Sequence, residues 1–374
     1  MAYIMRKTLY LIDAYALIFK YYYAFMGRPM RNRNGLNTSV VFGFTKFLRD
    51  ILKREKPDLI GVAFDPKGGS FRTTLFSEYK AKEGNTGIYL YNATLKSSNA
   101  PILVKNADKT VIHLVKGTTN VVEDGNGNHL FTKVNGAQDT AKAAIYSRDD
   151  LNIKGAGTLT VKGKFRNGIQ CSNDLKIKNG NITVEAEENA IRGKGCLQIS
   201  GGVLNVTAKK GDGLESDECE EVNGECKKIV EGKGIVEISG GNITIKAGDD
   251  GIQAENFIRV SDSTETSTVK ITSTGKGFSA EKYVYVDGGT IDVTSDDDAI
   301  HTHYQVFMNA GNVTISTKDD GIHADSILYL KGSTVNVKTA YEGLEAYKII
   351  LYVLCINEVT NGYLSDSHSR SIIE

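Results

Sequence analysis

The sequence predicts a mainly β protein: a right-handed parallel β-helix with about 22 residues per coil, preceded by a small, incomplete α/β segment. Two observations support this prediction. The 374-residue chain contains 39 Gly and only 4 Pro, and this composition, with many Asn, Asp, Thr and β-branched residues, is typical of short strands joined by tight turns. In addition, one short turn motif recurs along the chain at a nearly constant interval.

The recurring motif is a polar, usually acidic or amide residue, then Gly or Ala, then an apolar residue. Its third residue falls at Ile169, Ile191, Leu214, Ile252, Phe278, Ile300, Ile322 and Leu344, with a weaker copy at Ile145. The eight main copies are separated by 22, 23, 38, 26, 22, 22 and 22 residues, and both long intervals coincide with polar insertions. A propeller would need a period about twice as long, so each copy is expected to form one coil of a β-helix.

Between the motifs the chain alternates apolar and polar residues, as in "VEISGGNITIKA" and "VYVDGGTIDVTS". Equivalent residues in successive coils of a β-helix stack about 4.8 Å apart. The apolar positions therefore predict two inward columns that form the core. One column is Ile182, Leu204, Ile243, Ile291, Val313 and Val335, and the other is Val184, Val206, Ile245, Val293, Ile315 and Val337.

Acidic residues surround the turn motif on the expected outer face. Stacked carboxylates repel by about 1 kcal/mol per adjacent pair near a surface, so a compensating cation is expected. Calcium suits this face because it takes several oxygen ligands. The predicted calcium ligands are Asp212, Asp217, Asp249, Asp250, Glu255, Asp297, Asp298, Asp319, Asp320 and Asp325. Alternatively, Asp and Asn occupy these corners only because they favour turn conformations, which explains single acids better than doublets such as Asp249-Asp250.

Residues 84–346 resemble a family of secreted bacterial carbohydrate-binding β-helix proteins, which are fold relatives of calcium-dependent pectate lyases. The serial stretches "GDDGIQAE", "SDDDAIHTH" and "KDDGIHAD" carry this resemblance. It implies calcium-assisted, non-catalytic binding of an acidic plant-type polysaccharide such as polygalacturonate on the outer face. The expected carbohydrate contacts are Gln253, Lys276, His301, His303 and His323. The three histidines could instead ligate a transition metal.

Two other functions compete with this prediction. A calcium-dependent polysaccharide lyase would need a base, and Lys276 is the weak candidate that the columns single out. Neighbouring acids should raise the pKa of this lysine, which argues against a base. A structural, adhesin-like β-helix would not need the acidic doublets.

Residues 1–83 follow an α/β pattern, with strand-like "TLYLIDA" and "PDLIGVAFD" on either side of a helical stretch. This segment resembles the start of the 5′–3′ exonuclease domain of bacterial DNA polymerase I, through "LIDAYALIF", "AFD" and "FRTTLFSEYKAK". The resemblance implies that Asp13 and Asp65 match metal-binding acids and that Arg72 and Lys80 match residues that meet DNA phosphates. The further acids of the family's two-metal site have no counterpart after residue 83, so we expect no nuclease activity and Mg²⁺ at Asp13 and Asp65 only in a complete site.

The remaining features of the sequence concern the expected binding partners and the cellular location. Lys plus Arg and Asp plus Glu both number 45, so net charge favours neither a nucleic acid nor a membrane, and we expect a monomer. Asp13 breaks the first apolar stretch and Lys20 follows it, so no signal peptide is predicted, although the carbohydrate-binding family is exported. The non-repeating tail at 347–374 contains no stretch long enough to span a bilayer. Cys219 and Cys226 either close a small disulfide loop or remain free thiols.

Overall fold

A computed structural model describes residues 9–57, 59–63, 85–133, 136–222, 225–352 and 372–373. The chain divides into two units, Met1–Tyr89 and Leu90–Glu374. In the first unit, strands Leu9–Asp13 and Leu59–Ala63 pair in parallel, and helices Ala14–Ala24 and Ser39–Arg54 lie between them in sequence. The predicted α/β pattern of this segment is therefore confirmed. Neither helix is long and apolar enough to cross a membrane.

The second unit is a parallel β-solenoid of about 11 turns with a spacing of about 23 residues, which confirms the predicted fold class. Each complete coil contributes one strand segment to each of three parallel sheets. The first sheet follows the turn motif and consists of Ile102–Val104, Ala143–Ser147, Asn167–Cys171, Ile191–Gly193, Leu214–Ser216, Ile252–Ala254, Phe278–Ala280, Ile300–Thr302 and the first residues of Ile322–Leu330 and Leu344–Leu351.

The other two sheets share several long strands. Four 13-residue strands each run through both sheets: Cys196–Ala208, Ile235–Ala247, Tyr283–Ser295 and Gln305–Thr317. The second sheet also contains Lys109–Leu114, Asp150–Gly155, Asp174–Ile177, Phe257–Val260, the last residues of Ile322–Leu330 and Leu344–Leu351, and Ile372–Ile373. The third sheet also contains Thr94–Lys96, Thr119–Glu123, Thr158–Gly163, Asn181–Ala186, Ser267–Ser273 and Thr334–Thr339.

Strand Asn85–Leu90 spans the boundary between the two units in sequence. Two hairpins lie outside the three parallel sheets. Leu130–Thr132 pairs with Gln138–Thr140, and Cys219–Val222 pairs with Glu225–Ile229, both antiparallel. A disulfide joins Cys219 to Cys226 across the second hairpin, which is the first of the two alternatives predicted for these cysteines.

The register of the first sheet confirms the predicted repeat. The apolar residue of each turn motif lies opposite its equivalent in the next coil, from Ile145 through to Leu344. All of them are at most 6 % exposed, so this line forms one edge of the core. The two predicted inward columns are also in register and buried, except that Val335 is half-buried. The coil at the second insertion adds Val269 and Ile271 to these columns.

Each 13-residue strand bends at a glycine between the second and third sheets. Gly241 has a φ of 106°, a conformation that residues with a Cβ rarely adopt. A Cβ at this position would lie 2.9 Å from the carbonyl oxygen of Gly202, the equivalent glycine in the preceding coil. The Gly pairs in the sequence therefore mark bends that let successive backbones stack closely.

We expect Gly241→Ala to lower the free energy of unfolding by about 1–3 kcal/mol, since it strains the backbone and also meets the preceding coil. Gly232→Ala is the matched control, because Gly232 has a φ of 71° but an added Cβ would meet nothing within 4 Å. Thermal unfolding followed by circular dichroism would measure both variants. Equal losses in the two variants would show that contact between coils contributes nothing at this bend.

Candidate functional site

The middle residues of the first-sheet strands form a continuous line on the outer face, which we call the corner ladder. Their neighbours on both sides in each strand are buried, except for the half-buried Ala346 after Glu345, so these side chains face outward. The parallel register stacks them in the order Tyr146, Gln170, Arg192, Glu215, Gln253, Ser279, His301, His323 and Glu345. The structure thus brings three of the predicted carbohydrate contacts, Gln253, His301 and His323, onto one line.

A second line, the turn ladder, consists of the residues that precede the Gly or Ala of each motif: Asn167, Asn189, Asp212, Asp250, Lys276, Asp298, Asp320 and Glu342. In most coils, the side-chain Oδ1 accepts a hydrogen bond from the backbone N–H of the next member. The N–H of Asp250 donates to Asp212 at 3.0 Å, and that of Glu342 donates to Asp320 at 3.1 Å. Asn189, Asp212, Lys276 and Asp320 donate in the same way to the residue one coil earlier. Four predicted calcium ligands therefore use one carboxylate oxygen to hold the next coil.

Lys276 interrupts the turn ladder because its side chain offers no acceptor. The N–H of Asp298 donates instead to its neighbour Asp297, at 2.7 Å. The Lys276 ammonium lies 2.8 Å from Asp297 Oδ2. Burial opposes protonation, but this hydrogen bond and the charges of nearby aspartates raise the pKa of Lys276. It is therefore a cation bound by acids, as the sequence predicts.

Carboxylates outnumber the described cations in the first acidic cluster, which consists of Asp212, Glu215, Asp217, Asp249, Asp250 and Glu255. Arg192 contacts this cluster, with Nε 3.0 Å from both Glu215 Oε2 and Asp217 Oδ1. Burial, with the charges of Glu215 and Asp250, raises the pKa of Asp212 to about 8. Burial also raises the pKa of Glu215 to about 7, even with Arg192 beside it. The charge of Arg192 thus does not balance the carboxylates of this cluster.

Asp249 and Asp250 direct carboxylate oxygens toward the same point. A Cβ on Gly275 would lie 2.5 Å from Asp250 Oδ1 and 2.8 Å from Asp249 Oδ1. Only glycine leaves room for both oxygens at this turn. Burial raises the pKa of Asp250 as well.

The second acidic cluster lies two coils further along and consists of Asp297, Asp298 and Asp319. One oxygen of each carboxylate lies within 4.8 Å of one from each of the other two. Burial, followed by the charges of Asp298 and Asp297, raises the pKa of Asp319. Three predicted calcium ligands from two adjacent coils are therefore brought together here.

Three imidazoles lie beside the second acidic cluster. His301 Nδ1 lies 2.7 Å and His323 Nδ1 lies 3.4 Å from the same oxygen, Asp298 Oδ2. Asp325, another predicted ligand, contacts His303 Nδ1 at 3.1 Å and His323 Nε2 at 3.4 Å. The hydrogen bond with Asp298 raises the pKa of His323 to about 9, and the two imidazoles hold the pKa of Asp298 well below its usual range despite its burial.

Sequence reasoning missed two features of this surface. Arg192 is the counter-ion of the first acidic cluster, and its place in the corner ladder was the available signal. An aromatic stripe also runs along the second sheet. Tyr285, Phe307 and Tyr329 stack in parallel, with ring centroids 4.9 and 4.7 Å apart. Because these rings cover each other's faces, the stripe stabilises the stacking of coils, by about 0.5–1.5 kcal/mol per pair.

The predicted nuclease residues of the first unit are mostly outside the described residues. Asp13 lies at the carboxyl end of its strand, opposite Ala63. Asp65, Arg72 and Lys80 fall in the range that the structure does not describe. Their vestigial roles, and any Mg²⁺ at Asp13 and Asp65, stay predictions.

We expect Asp212→Asn to stabilise the protein at pH 8 and to have little effect near pH 4. The native carboxyl keeps its proton up to about pH 8, whereas the unfolded one ionises near its ordinary value of 3.8. The native state binds more protons between these values, so the free energy of unfolding falls as the pH rises through this window. Asn keeps the Oδ1 acceptor but removes this pH dependence. Once the carboxyl is ionised in both states, each unit by which its native pKa exceeds its unfolded pKa lowers the free energy of unfolding by about 1.4 kcal/mol.

Denaturant unfolding at several pH values would test this prediction. Asp212→Ala is the control, because it removes the acceptor for the Asp250 N–H and should destabilise the protein at every pH. A loss of stability in Asp212→Asn at pH 8 would contradict the assignment of unbalanced charge to this cluster.

Comparison with known proteins identifies relatives of both parts of the chain. The family model described as "Carbohydrate-binding domain-containing protein" matches residues 67–321 and 220–353. A carbohydrate-binding domain-containing protein of Acetivibrio thermocellus is 38% identical over 152 residues, which are 40% of this chain and 50% of that protein. This chain thus spans about half the length of that relative. A solved structure titled a polysaccharide lyase-like protein from C. thermocellum, as a gadolinium derivative, is 36% identical, with 55% of this chain and 76% of that chain covered and a TM-score of 0.47.

The first unit has different relatives. The model of the 5′–3′ exonuclease N-terminal resolvase-like domain matches residues 8–93. DNA polymerase I of Treponema pallidum is 41% identical over 86 residues, which are 23% of this chain and 9% of that protein. DNA polymerase I of Mycobacterium tuberculosis is 38% identical over 81 residues, which are 22% of this chain and 9% of that protein. The carbohydrate-binding model matches well over half of the chain, and the protein therefore belongs to the family of carbohydrate-binding domain-containing proteins.

Proposed function

We propose that the β-helix binds an acidic polysaccharide of the polygalacturonate type, through calcium ions on the outer face of the first sheet, and does not cleave it. Membership of a carbohydrate-binding family supports a polysaccharide partner. The observation that carries the proposal is the second acidic cluster, where Asp297, Asp298 and Asp319 bring carboxylate oxygens of two coils within 4.8 Å of one another.

Calcium is the ion that suits the acidic face best. It takes six to eight oxygen ligands in flexible geometry, and each aspartate of the turn ladder keeps one oxygen free of the coil-to-coil hydrogen bond. Burial is the main cause of the raised pKa values of Asp212, Asp250 and Asp319, and the neighbouring cations do not offset it. A divalent cation would supply further positive charge and release the protons that these groups hold.

The repeat of the face suits a linear polymer. Coils stack about 4.8 Å apart along one axis, so acids and hydrogen-bonding side chains recur along a straight line. A calcium ion held by these acids has coordination positions left for uronate carboxylates, and so converts a repulsive surface into a binding one. Gln253, Lys276, His301, His303 and His323 lie beside the acids, where we expect them to contact sugar hydroxyl and carboxylate groups.

The state of Lys276 supports binding without cleavage. A lyase needs a base that is free to accept a proton near neutral pH. The Lys276 ammonium is ion-paired with Asp297, and its pKa is raised rather than lowered. Arg192, the cation of the corner ladder, is held in the same way by Glu215 and Asp217.

The test is a calorimetric titration of Ca²⁺ into the full-length protein, repeated with polygalacturonate while ultraviolet absorbance is followed for unsaturated products. We expect saturable calcium binding that strengthens polymer binding, with no rise in absorbance. Growing absorbance would favour the lyase, and the absence of heat with either ligand would favour a purely structural β-helix.

We expect Asp319→Asn to weaken calcium binding at least tenfold, since it removes one charged ligand from the second acidic cluster. Asp292→Asn is the matched control. It removes the same charge from the outer face of the third sheet, where Asp292 lies 3.4 Å from the Lys270 ammonium. If both variants bind calcium as the unchanged protein does, the ion lies elsewhere and this site assignment is wrong.

A further inference from the structure

We propose that Asp298, His301 and His323 form a site for one divalent transition metal ion of the zinc class. This site shares Asp298 with the second acidic cluster, but its two imidazole nitrogens distinguish it from the all-oxygen calcium face, and it does not depend on polysaccharide binding.

Stacking of two coils creates the site. His301 and His323 lie directly opposite each other in the register of the first sheet. Their ring centroids are 4.8 Å apart, which is the spacing that parallel strands impose. Asp298 stands three residues before His301 and is nearly fully buried. Two imidazoles and one carboxylate are therefore placed by the backbone itself.

The ligand atoms already converge. Asp298 Oδ2 lies 2.7 Å from His301 Nδ1 and 3.4 Å from His323 Nδ1. One ligand atom from each of the three residues lies within 4.8 Å of those from the other two. Ligands on a tetrahedral zinc ion, each about 2.0–2.2 Å from the metal, lie about 3.4 Å apart. Small rotations of these side chains would thus adjust the distances between the ligand atoms to those around a zinc ion.

The surrounding groups orient the ligands in the manner of a metal site. Asp325 Oδ1 lies 3.4 Å from His323 Nε2, on the side of the ring opposite Nδ1. A carboxylate on the far nitrogen fixes the orientation of a ligating imidazole and increases its basicity. Asp298 Oδ1 accepts the backbone N–H of Asp320 at 3.1 Å, which fixes this carboxylate and leaves Oδ2 for the ion.

Two further carboxylates can complete the coordination. Glu345 Oε2 and Asp320 Oδ2 lie 3.7 and 3.9 Å from His323 Nδ1. Three acids around one imidazole nitrogen favour a cation at this position. Two nitrogen ligands make it a transition metal rather than calcium, which takes oxygen ligands almost exclusively.

The site is confined to these two coils. The corner ladder has Gln253 and Ser279 in the two preceding coils and Glu345 in the following one, so the imidazole pair occurs once along it. From the described residues, the expected stoichiometry is therefore one ion bound at an imidazole pair.

The test uses full-length protein treated with a chelator and then titrated with Zn²⁺ against a chromophoric competitor. We expect one saturable site with micromolar or tighter affinity that a large excess of Ca²⁺ does not displace. Co²⁺ should give a visible absorption spectrum that Zn²⁺ abolishes. His323→Gln and His301→Gln should each weaken Zn²⁺ binding at least tenfold and remove the Co²⁺ spectrum.

Two controls make the outcome decisive. His113→Gln makes the same substitution on the second sheet, and Asp292→Asn removes a carboxylate from the third sheet, so both should bind Zn²⁺ within twofold of the unchanged protein. Circular dichroism establishes whether each variant is folded. If one of the two histidine variants does not fold, the other one still tests the proposal. Zn²⁺ binding that is non-saturable, or that is equal in the histidine variants and in His113→Gln, would overturn the proposal. Calcium binding that fails in an intact zinc binder would overturn only the proposed function.

Discussion

The hydrogen-bonded register between parallel coils is the constraint on which the rest of this structure depends. It places every residue about 4.8 Å from its equivalent one coil away, so that a repeated side chain becomes a column. Inside, the columns are apolar and buried, from Ile145 to Leu344 along the turn and from Ile182 onward along the third sheet. Outside, the same register places like charges beside each other.

The protein offsets that repulsion with several different partners. Turn-ladder carboxylates accept backbone N–H groups, which stabilise negative charge and hold the next coil. Arg192 and Lys276 each supply a cation at one level, and the imidazoles of His301 and His323 surround Asp298. The acids whose pKa values stay raised despite such partners, above all Asp212, are the places where an external cation would stabilise the fold most.

The turn ladder also shows why a structural and a functional interpretation of these aspartates need not exclude each other. A carboxylate has two oxygens, and the coil-to-coil hydrogen bond uses one of them. Asn at positions 167 and 189 performs the structural part without charge. Asp at 250, 298 and 320 performs it as well and keeps a charged oxygen on the outer face, which is a reason to expect a ligand where Asp replaces Asn.

The sequence by itself determined the solenoid, its period, its core columns and the family of its larger part. The 22-residue repeat and the alternation of apolar and polar residues are both visible in the local sequence, and one coil of a parallel β-helix explains both. It also identified the acids and histidines that line one face. Only the tertiary structure decided which of them meet. The pairing of Arg192 with Glu215 and Asp217, the convergence of His301 and His323 on Asp298, and the capture of Lys276 by Asp297 depend on side-chain directions across two coils. A repeat gives the spacing of such residues along the chain, but contacts between side chains form only once coils are stacked.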